Sequence, residues 1–193
     1  MSKIQVVCAS RHGATAGIAE RITTVLRDEG ADVQLDDAAD RPVLRDADAY
    51  VIGSGIYLGS WLKDGIRFLE QNLSTLAGKP VWLFSSGPLP GSSKNTQEAD
   101  PLTTALGPEE GPGSGGHRKI AALSAVVHPR EHRVFLGAYN PDDPPKSMPE
   151  RVLRLLPASK SILPPGDWRD WDAIEAWARS IATELEDAAV PVG

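Results

Sequence analysis

Residues 3–30 have the sequence KIQVVCASRHGATAGIAERITTVLRDEG, and this stretch largely decides the fold. It opens with a short run at 3–9 that is apolar and rich in β-branched residues, which predicts a buried β-strand. Apolar residues then recur at helical spacing: Ile18, Ile22, Val25 and Leu26. Because Gly13 precedes this pattern and Gly30 stops it, the stretch predicts a strand, a glycine turn and a helix over about 14–29.

The same alternation continues along the rest of the chain. Further strands are predicted at 32–35, 49–52, 81–84 and 133–138, and helices at 61–76, at 119–127 and from Asp170 onward. Apolar strands separated by helices indicate a parallel sheet that is covered on both faces. With right-handed crossovers, five such strands favour a doubly wound three-layer α/β/α sheet of order 2-1-3-4-5. A sheet of this kind binds its ligand where the order reverses, between strands one and three.

The 193 residues fit one domain spanning 1–193. We predict a flexible loop over 87–116, which is rich in Gly, Pro and Ser, and a proline-rich insertion over 140–166. No apolar run approaches the length of a membrane span, and the N-terminus has no signal-peptide pattern, so we predict a cytoplasmic protein. The single cysteine, Cys8, excludes an internal disulfide and lies inside a strand, as expected of a buried apolar residue.

The charge is unevenly distributed. The chain has a net charge of −6, which argues against nucleic acid as a partner. Residues 117–160 contain eight Lys and Arg against four acids, so this segment is +4 and the remainder is −10. Two interpretations stay open: a solvated face, or a docking surface for an anionic partner or a membrane. We predict no metal site, because Pro129 separates His128 from His132 and prevents a helical pair of ligands.

The loop after the first strand, 10–15, has the features of a phosphate site. It offers the hydroxyls of Ser10 and Thr15 and a run of backbone amides at the start of a helix, where anions bind. In the alternative interpretation, Ser10 only caps the helix and Gly13 only makes the turn. The single loop does not decide between the two.

The loops after the third and fourth strands meet the first loop at the same edge of the predicted sheet. The glycines in 53–61 leave space for a planar ring, on which Tyr57 or Trp61 could stack. Alternatively, Tyr57 is a surface residue and Trp61 is a core residue of the next helix. The loop 85–91 either flanks the same ring with backbone amides or is a plain strand exit.

These loops resemble the flavodoxin superfamily. Residues 10–15 are similar to its Thr/Ser-x-Thr/Ser-Gly-x-Thr phosphate loop, with His12 at the second hydroxyl position. Within the superfamily, the chain most resembles the flavodoxin-domain group that contains the menaquinone-dependent protoporphyrinogen oxidases. The similarity to this group lies in ASRHGAT at 9–15, in VIGSGI at 51–56 followed by an aromatic residue, Leu and Gly, and in Asp167-Trp168 before a last helix that contains Trp177-Ala178-Arg179.

The resemblance implies non-covalently bound FMN, with the phosphate in the first loop and the ring between the other two. The implied FMN-binding residues are Ser10, Arg11, His12, Gly13, Ala14, Thr15, Ser54, Gly55, Ile56, Tyr57, Leu58, Ser86 and Gly87. In this interpretation His12 donates a hydrogen bond to the phosphate. No catalytic acid or base is assigned, because FMN itself performs the redox chemistry.

Three functions follow from the resemblance. The first is an FMN oxidoreductase that passes electrons from a reduced small molecule or protein to a quinone-type or protein acceptor, like the oxidase group. The second is an electron carrier with no substrate of its own. The third is a binding module that has lost flavin, which the replacement of a hydroxyl residue by His12 keeps open. The partners expected are a redox protein or a quinone-type molecule, with peripheral membrane contact through 117–160 as an option, and the oligomeric state is not predicted.

Overall fold

The computed structural model describes residues 1–57, 59–87, 114–145 and 165–189. The main sheet has five long parallel strands: β1 Lys3–Ala9, β2 Asp32–Asp37, β3 Ala49–Tyr57, β5 Val81–Ser86 and β6 Glu131–Phe135. A two-residue strand, β4 Ser60–Trp61, pairs antiparallel with the end of β3. The order is β2-β1-β3-β5-β6, so the predicted order 2-1-3-4-5 of the five long strands is confirmed.

Helices cover both faces of this sheet. They are α1 Ala14–Asp28, α2 Lys63–Leu76, α3 Ser114–Val127 and α4 Trp171–Ala189, and a short 3-10 helix spans Ala38–Asp40. Helices α1 and α4 pack together on one face, and α2 and α3 pack on the other. Two short strands, β7 Ala138–Tyr139 and β8 Gly166–Asp167, form a separate antiparallel pair. Within the described ranges, no helix is long and apolar enough to span a membrane.

Strand β1 contributes to both cores because successive side chains point to opposite faces of a sheet. Val6 and Cys8 pack in the core beneath α1 and α4. Val7 and Ala9 pack in the core beneath α2 and α3. All four are buried, which explains why the strand is apolar on both faces from Val6 to Ala9 instead of alternating.

A glycine permits the close packing at the middle of the sheet. Gly53 of β3 lies beside Cys8 of β1 and Phe84 of β5. A Cβ atom at Gly53 would stand 2.0 Å from the Phe84 ring, so no side chain fits there. The Phe84 ring of β5 thus fills the space that a side chain at position 53 of β3 would need.

Several boundaries differ from the sequence-based predictions. Helix α3 begins at Ser114, so the last three residues of the predicted loop 87–116 are helical, and 88–113 lie outside the described residues. Helix α2 begins at Lys63, because Trp61 belongs to β4. Of the predicted insertion 140–166, only its two ends are described.

The end of the fifth long strand is also displaced. We predicted a strand over 133–138, whereas β6 ends at Phe135 and Ala138 pairs with Asp167 in the second, smaller sheet. The last helix begins at Trp171, one residue after the predicted start, and the Asp170 carboxylate caps it by accepting a hydrogen bond from the Ala173 amide. These differences between the predicted and the observed boundaries lie at the carboxyl edge of the sheet, where the three loops meet.

Candidate functional site

The loop between β1 and α1 is built as an anion site. Gly13 is the N-cap of α1 with φ of +87°, in the left-handed region that favours glycine. Its amide donates to Ser10 Oγ at 3.2 Å, so Ser10 does stabilise the turn, as in the alternative interpretation. The first amides of α1 have no intrahelical acceptor, and the first turn contains no acidic residue. The positive end of the helix is therefore available to an anion.

Thr15 brings the first loop into contact with the second. Thr15 is 5% exposed, and a Cβ atom at Gly55 would lie 3.1 Å from its Oγ1. A larger residue at position 55 would have to push the two loops apart. The glycine therefore lets the end of β3 lie directly against the start of α1.

Tyr57 contacts the two charged or titratable side chains of the first loop. The Arg11 guanidinium lies over the Tyr57 ring, with Cζ 4.3 Å from the ring centroid. His12 Nε2 is 3.2 Å from the Tyr57 hydroxyl, and the two rings are stacked with centroids 6.2 Å apart. The sequence assigned Arg11 and His12 to phosphate and Tyr57 to the ring, whereas the structure joins all three. Because Arg11 covers one face of Tyr57, that face is not open to a stacked heterocycle.

Ser54 is used inside the protein. Its side chain is fully buried, and its Oγ accepts from the Leu62 amide at 3.0 Å and donates to the Gly55 carbonyl at 3.0 Å. Ser54 is one of the FMN-binding residues implied by the resemblance, and its hydroxyl links the start of α2 to the end of β3. Ile56 and Tyr57 are half-buried beside it, and Leu58 lies outside the described residues.

Trp61 is a core residue and not a stacking residue. It is 2% exposed, and its Nε1 donates to Ser85 Oγ at 2.8 Å. Ser85 Oγ also lies 2.8 Å from His132 Nε2, and the His132 ring meets the edge of Trp61 at 5.7 Å. Sequence reasoning missed this network, because its members come from three strands and the only signal, a shared sheet face, needs the register.

The third loop supplies a buried hydroxyl at the edge of the sheet. Ser86 is 2% exposed, and its Oγ has no hydrogen-bond partner in the part of the chain that the structure describes. Gly87 follows with φ of +141°, and a Cβ atom there would lie 3.1 Å from the Ile56 carbonyl oxygen. The Gly87 amide donates to the Phe135 carbonyl at 3.4 Å. The ends of β3, β5 and β6 thus pack backbone to backbone around Ser86.

Cys8 does not take part in this site. It is 4% exposed within β1, and burial, followed by the negative charges of Asp37 and Glu20, raises the pKa of its thiol far above the usual range. The expectation that it is a buried apolar residue is confirmed. Among the described residues, no three His, Cys, Asp or Glu side chains are grouped so that they could hold a metal ion.

The donors present fit FMN. A phosphoryl group suits the amides of the first turn of α1, because Gly13 before them leaves open space where a side chain would stand. A polar edge of the flavin ring would also satisfy the buried Ser86 hydroxyl. The two features lie at the carboxyl ends of β1 and β5, next to the switch in strand order.

Comparison with known proteins points to the flavodoxin superfamily. The profile of the flavodoxin domain matches residues 5–140, which is more than two thirds of the chain. No curated protein sequence matches the chain significantly. Among solved structures, flavodoxin 1 from Bacillus cereus is 17% identical with a TM-score of 0.55, over 95% of this chain and 99% of that one.

Two further structures are similar to the chain. A short-chain flavodoxin associated with a non-canonical PDU bacterial microcompartment is 15% identical, with a TM-score of 0.57 over 98% of this chain and all of that one. The rubredoxin oxygen:oxidoreductase of the anaerobe Desulfovibrio gigas is 15% identical with a TM-score of 0.56. The alignment covers 98% of this chain but only 38% of that protein, so the chain spans well under half its length. At these identities the likenesses establish the fold, and the domain profile establishes the family: the chain belongs to the flavodoxin-domain family, whose cofactor is FMN.

Proposed function

We propose that the chain is an FMN-dependent oxidoreductase that passes electrons between a reduced small-molecule or protein donor and a quinone-type or protein acceptor. The observation that supports this most strongly is the meeting of the loops after β1, β3 and β5 where the strand order reverses. Each of these loops offers something different: anion-binding amides, an aromatic side chain, and a buried hydroxyl beside a glycine. FMN needs all three, because it has a phosphate and a planar ring with polar edges.

In this proposal the first loop, residues 10–15, holds the phosphate. The amides at the start of α1 donate to the phosphate oxygens, and the Ser10 hydroxyl keeps its own proton to donate while its oxygen accepts from Gly13. Arg11 and His12 contribute their backbone amides, and their side chains hold Tyr57. The contact through Nε2 gives His12 a role in positioning Tyr57, and its role as a direct donor to the phosphate stays a prediction.

The ring of the cofactor would lie between the second and third loops. Tyr57 would stack on it, and the adjoining ends of β3 and β5, with the backbone of Ile56 and Gly87, would face one edge of the ring. When bound, FMN supplies one-electron and two-electron redox chemistry. The residues of the chain orient the ring, donate hydrogen bonds to its edge and exclude water from it.

Within the family, we assign the chain to the group that contains the menaquinone-dependent protoporphyrinogen oxidases. This assignment is supported by the sequence ASRHGAT in the first loop and by Asp167-Trp168 before α4. The +4 segment 117–160 favours an acidic protein partner or a membrane surface as the place where electrons are exchanged. We further propose that the chain acts as a single domain in the cytoplasm. An electron carrier without its own substrate is the competing function.

Absorption spectroscopy of the purified protein tests the proposal. We expect a yellow protein, or a colourless one that takes up added FMN stoichiometrically with quenching of the flavin fluorescence. A protein that stays colourless and does not bind FMN at micromolar concentration would exclude the proposal. Stopped-flow mixing of the photoreduced protein with a menaquinone, and of the oxidised protein with protoporphyrinogen, then distinguishes an oxidoreductase from a carrier that reacts only with a protein partner.

A further inference from the structure

The segment just before α4 is folded back against the carboxyl edge of the sheet. Strand β8 pairs with β7, and the Trp168 amide donates to the Gly137 carbonyl at 3.1 Å. A Cβ atom at Gly166 would lie 2.6 Å from the Trp168 ring, so the chain turns sharply beneath that side chain. This turn places Arg169, the residue after Trp168, at the start of α1. Arg169 contacts Ala14 there, although 155 positions separate the two residues along the chain.

Arg169 is fixed on the first turn of α1. Its Nη1 donates to the Ala14 carbonyl at 3.3 Å, and its side chain is only 17% exposed. The guanidinium lies over the Trp171 ring, with Cζ 4.4 Å from the centroid. A Cβ atom at Gly17 would stand 2.7 Å from Nη1, so the helix has no side chain where the guanidinium rests. Trp171 is half-buried and serves as the surface on which Arg169 lies.

Asp167 orients the charge. Its carboxylate accepts from Arg169 Nε at 2.8 Å and from Nη2 at 2.5 Å, whereas Nη1 is turned to the helix. The positive end of this ion pair therefore faces α1 and the negative end faces away from it. The bidentate geometry gives the guanidinium one fixed direction.

A cation at this position needs an explanation. The N-terminus of a helix carries partial positive charge, so an arginine beside it is unfavourable unless an anion is also present. The first turn of α1 contains no acidic side chain, so Arg169 is compensated by the Asp167 carboxylate and the Ala14 carbonyl. Because the Asp167 carboxylate lies on the side of the guanidinium that faces away from α1, the positive end of this ion pair still adds to the dipole of α1 at the loop that includes Gly13.

We propose that Arg169 is a specificity-determining residue of the flavin site, whose charge makes the chain select the phosphorylated flavin FMN over riboflavin. The inference rests on the proposed function, because it assigns a role to Arg169 at the phosphate loop of that site. Its contribution is electrostatic and acts across the first turn of α1. Riboflavin has the same ring but no phosphate, so its affinity is insensitive to this charge.

Equilibrium titrations with FMN and with riboflavin test the inference. For Arg169→Gln we expect FMN to bind about fivefold more weakly, with the riboflavin affinity unchanged, so that the ratio of the two affinities falls about fivefold. Arg169→Lys keeps the charge and should retain most of the ratio. Arg21→Gln is the matched control. Arg21 also lies over the Trp171 ring, but it comes seven residues after Ala14, about 10 Å further along α1.

The outcomes separate this inference from the function on which it rests. If the wild-type chain binds neither flavin, the proposed function fails. If the wild type binds FMN but Arg169→Gln weakens both flavins equally, or Arg21→Gln lowers the ratio as much, the selectivity role of Arg169 fails. Asp167→Asn gives a second test should Arg169→Gln not fold: it removes the counter-charge from an exposed position, so the ratio should stay the same or rise, and a fall would overturn the inference.

Discussion

Gly13 is the residue on which the geometry of the first loop depends most directly. Its φ of +87° is accessible to glycine but costs other residues about 1 kcal/mol or more. A Cβ atom at this position would meet no protein atom within 4 Å, so steric packing within the protein does not require the glycine. The backbone conformation, together with the close approach of a ligand, accounts for it.

We therefore predict that Gly13→Ala lowers the free energy of unfolding by about 1 kcal/mol and also weakens FMN binding. Gly30→Ala is the matched control, since Gly30 has φ of +89° and equally open surroundings at the far end of α1. Urea unfolding should show the same loss of stability for both variants, and flavin titration should show a loss of affinity for Gly13→Ala alone. Equal FMN affinities in the two variants would contradict the assignment of the phosphate loop.

The two neighbouring serines at the end of β5, Ser85 and Ser86, differ in their hydrogen bonding. Ser85 accepts the hydrogen bond of the buried Trp61 indole and pairs with His132. Ser86 is equally buried, and its hydroxyl finds no acceptor or donor among the described residues. The first serine thus joins β5 to β4 and β6, and we propose that the second binds a ligand.

Substitution of each serine by alanine separates these roles. Ser85→Ala leaves the Trp61 indole N–H buried without an acceptor and should cost about 1–3 kcal/mol in the absence of flavin. Ser86→Ala should leave the stability of the flavin-free protein nearly unchanged but weaken FMN binding. Urea unfolding without flavin and FMN titration provide the two measurements. A Ser86→Ala variant with unchanged FMN affinity would remove Ser86 from the site.

Asp36 fastens the edge strand β2 to β1 and to the connection that follows. Its carboxylate accepts from Gln5 Nε2 at 2.8 Å and forms an ion pair with Arg45 at 3.3 Å. Burial alone would raise the pKa of Asp36, but the hydrogen bonds from Gln5, Arg45 and Gln34 and the Arg45 charge together lower it. A pKa that is lower in the folded than in the unfolded chain stabilises the fold above the unfolded value, and this stabilisation is lost as the pH falls through the folded value.

The free energy of unfolding of the wild type should accordingly decrease as the pH is lowered from about 4. Asp36→Asn should be less stable at pH 7 and should lose less stability on acidification. Asp32→Asn removes the same charge from an exposed position on the same strand and serves as the control. Denaturant unfolding at pH 7 and pH 3 would refute the assignment if the wild type and Asp36→Asn lost equal stability between the two pH values.

At the scale of the whole molecule, the site exists only in the folded chain, because its three loops come from separate parts of the sequence. FMN should therefore bind the folded state and not the unfolded state, and it should raise the stability by about 2.7 kcal/mol at a hundred times its dissociation constant. We predict that the melting temperature rises steadily with the logarithm of the FMN concentration, and differential scanning fluorimetry can measure this rise. A melting temperature that stays constant as the FMN concentration is raised would mean that FMN does not bind the folded chain specifically.

Local patterns were enough to predict most of the elements. Strand β1 and helix α1 were predicted nearly residue by residue, because the apolar run, Gly13 and Gly30 act on their immediate neighbours. The short strand β4 was missed. Its Trp61 donates a hydrogen bond to Ser85, 24 residues away, and this contact, not packing within a helix, accounts for its position. Likewise, the sequence pattern did not show that the Ser54 hydroxyl is consumed inside the protein.

The sequence by itself determined the class of fold and the strand order, because these follow from local periodicity, glycine conformation and the handedness of crossovers. Only the tertiary structure decided which polar groups are used internally and which have no partner among the described residues, and it alone brought Arg169 to Ala14. The physical reason is that hydrogen bonds and charges act over a few ångströms in space. Their partners are set by the register of the strands and the packing of the helices, and not by distance along the chain.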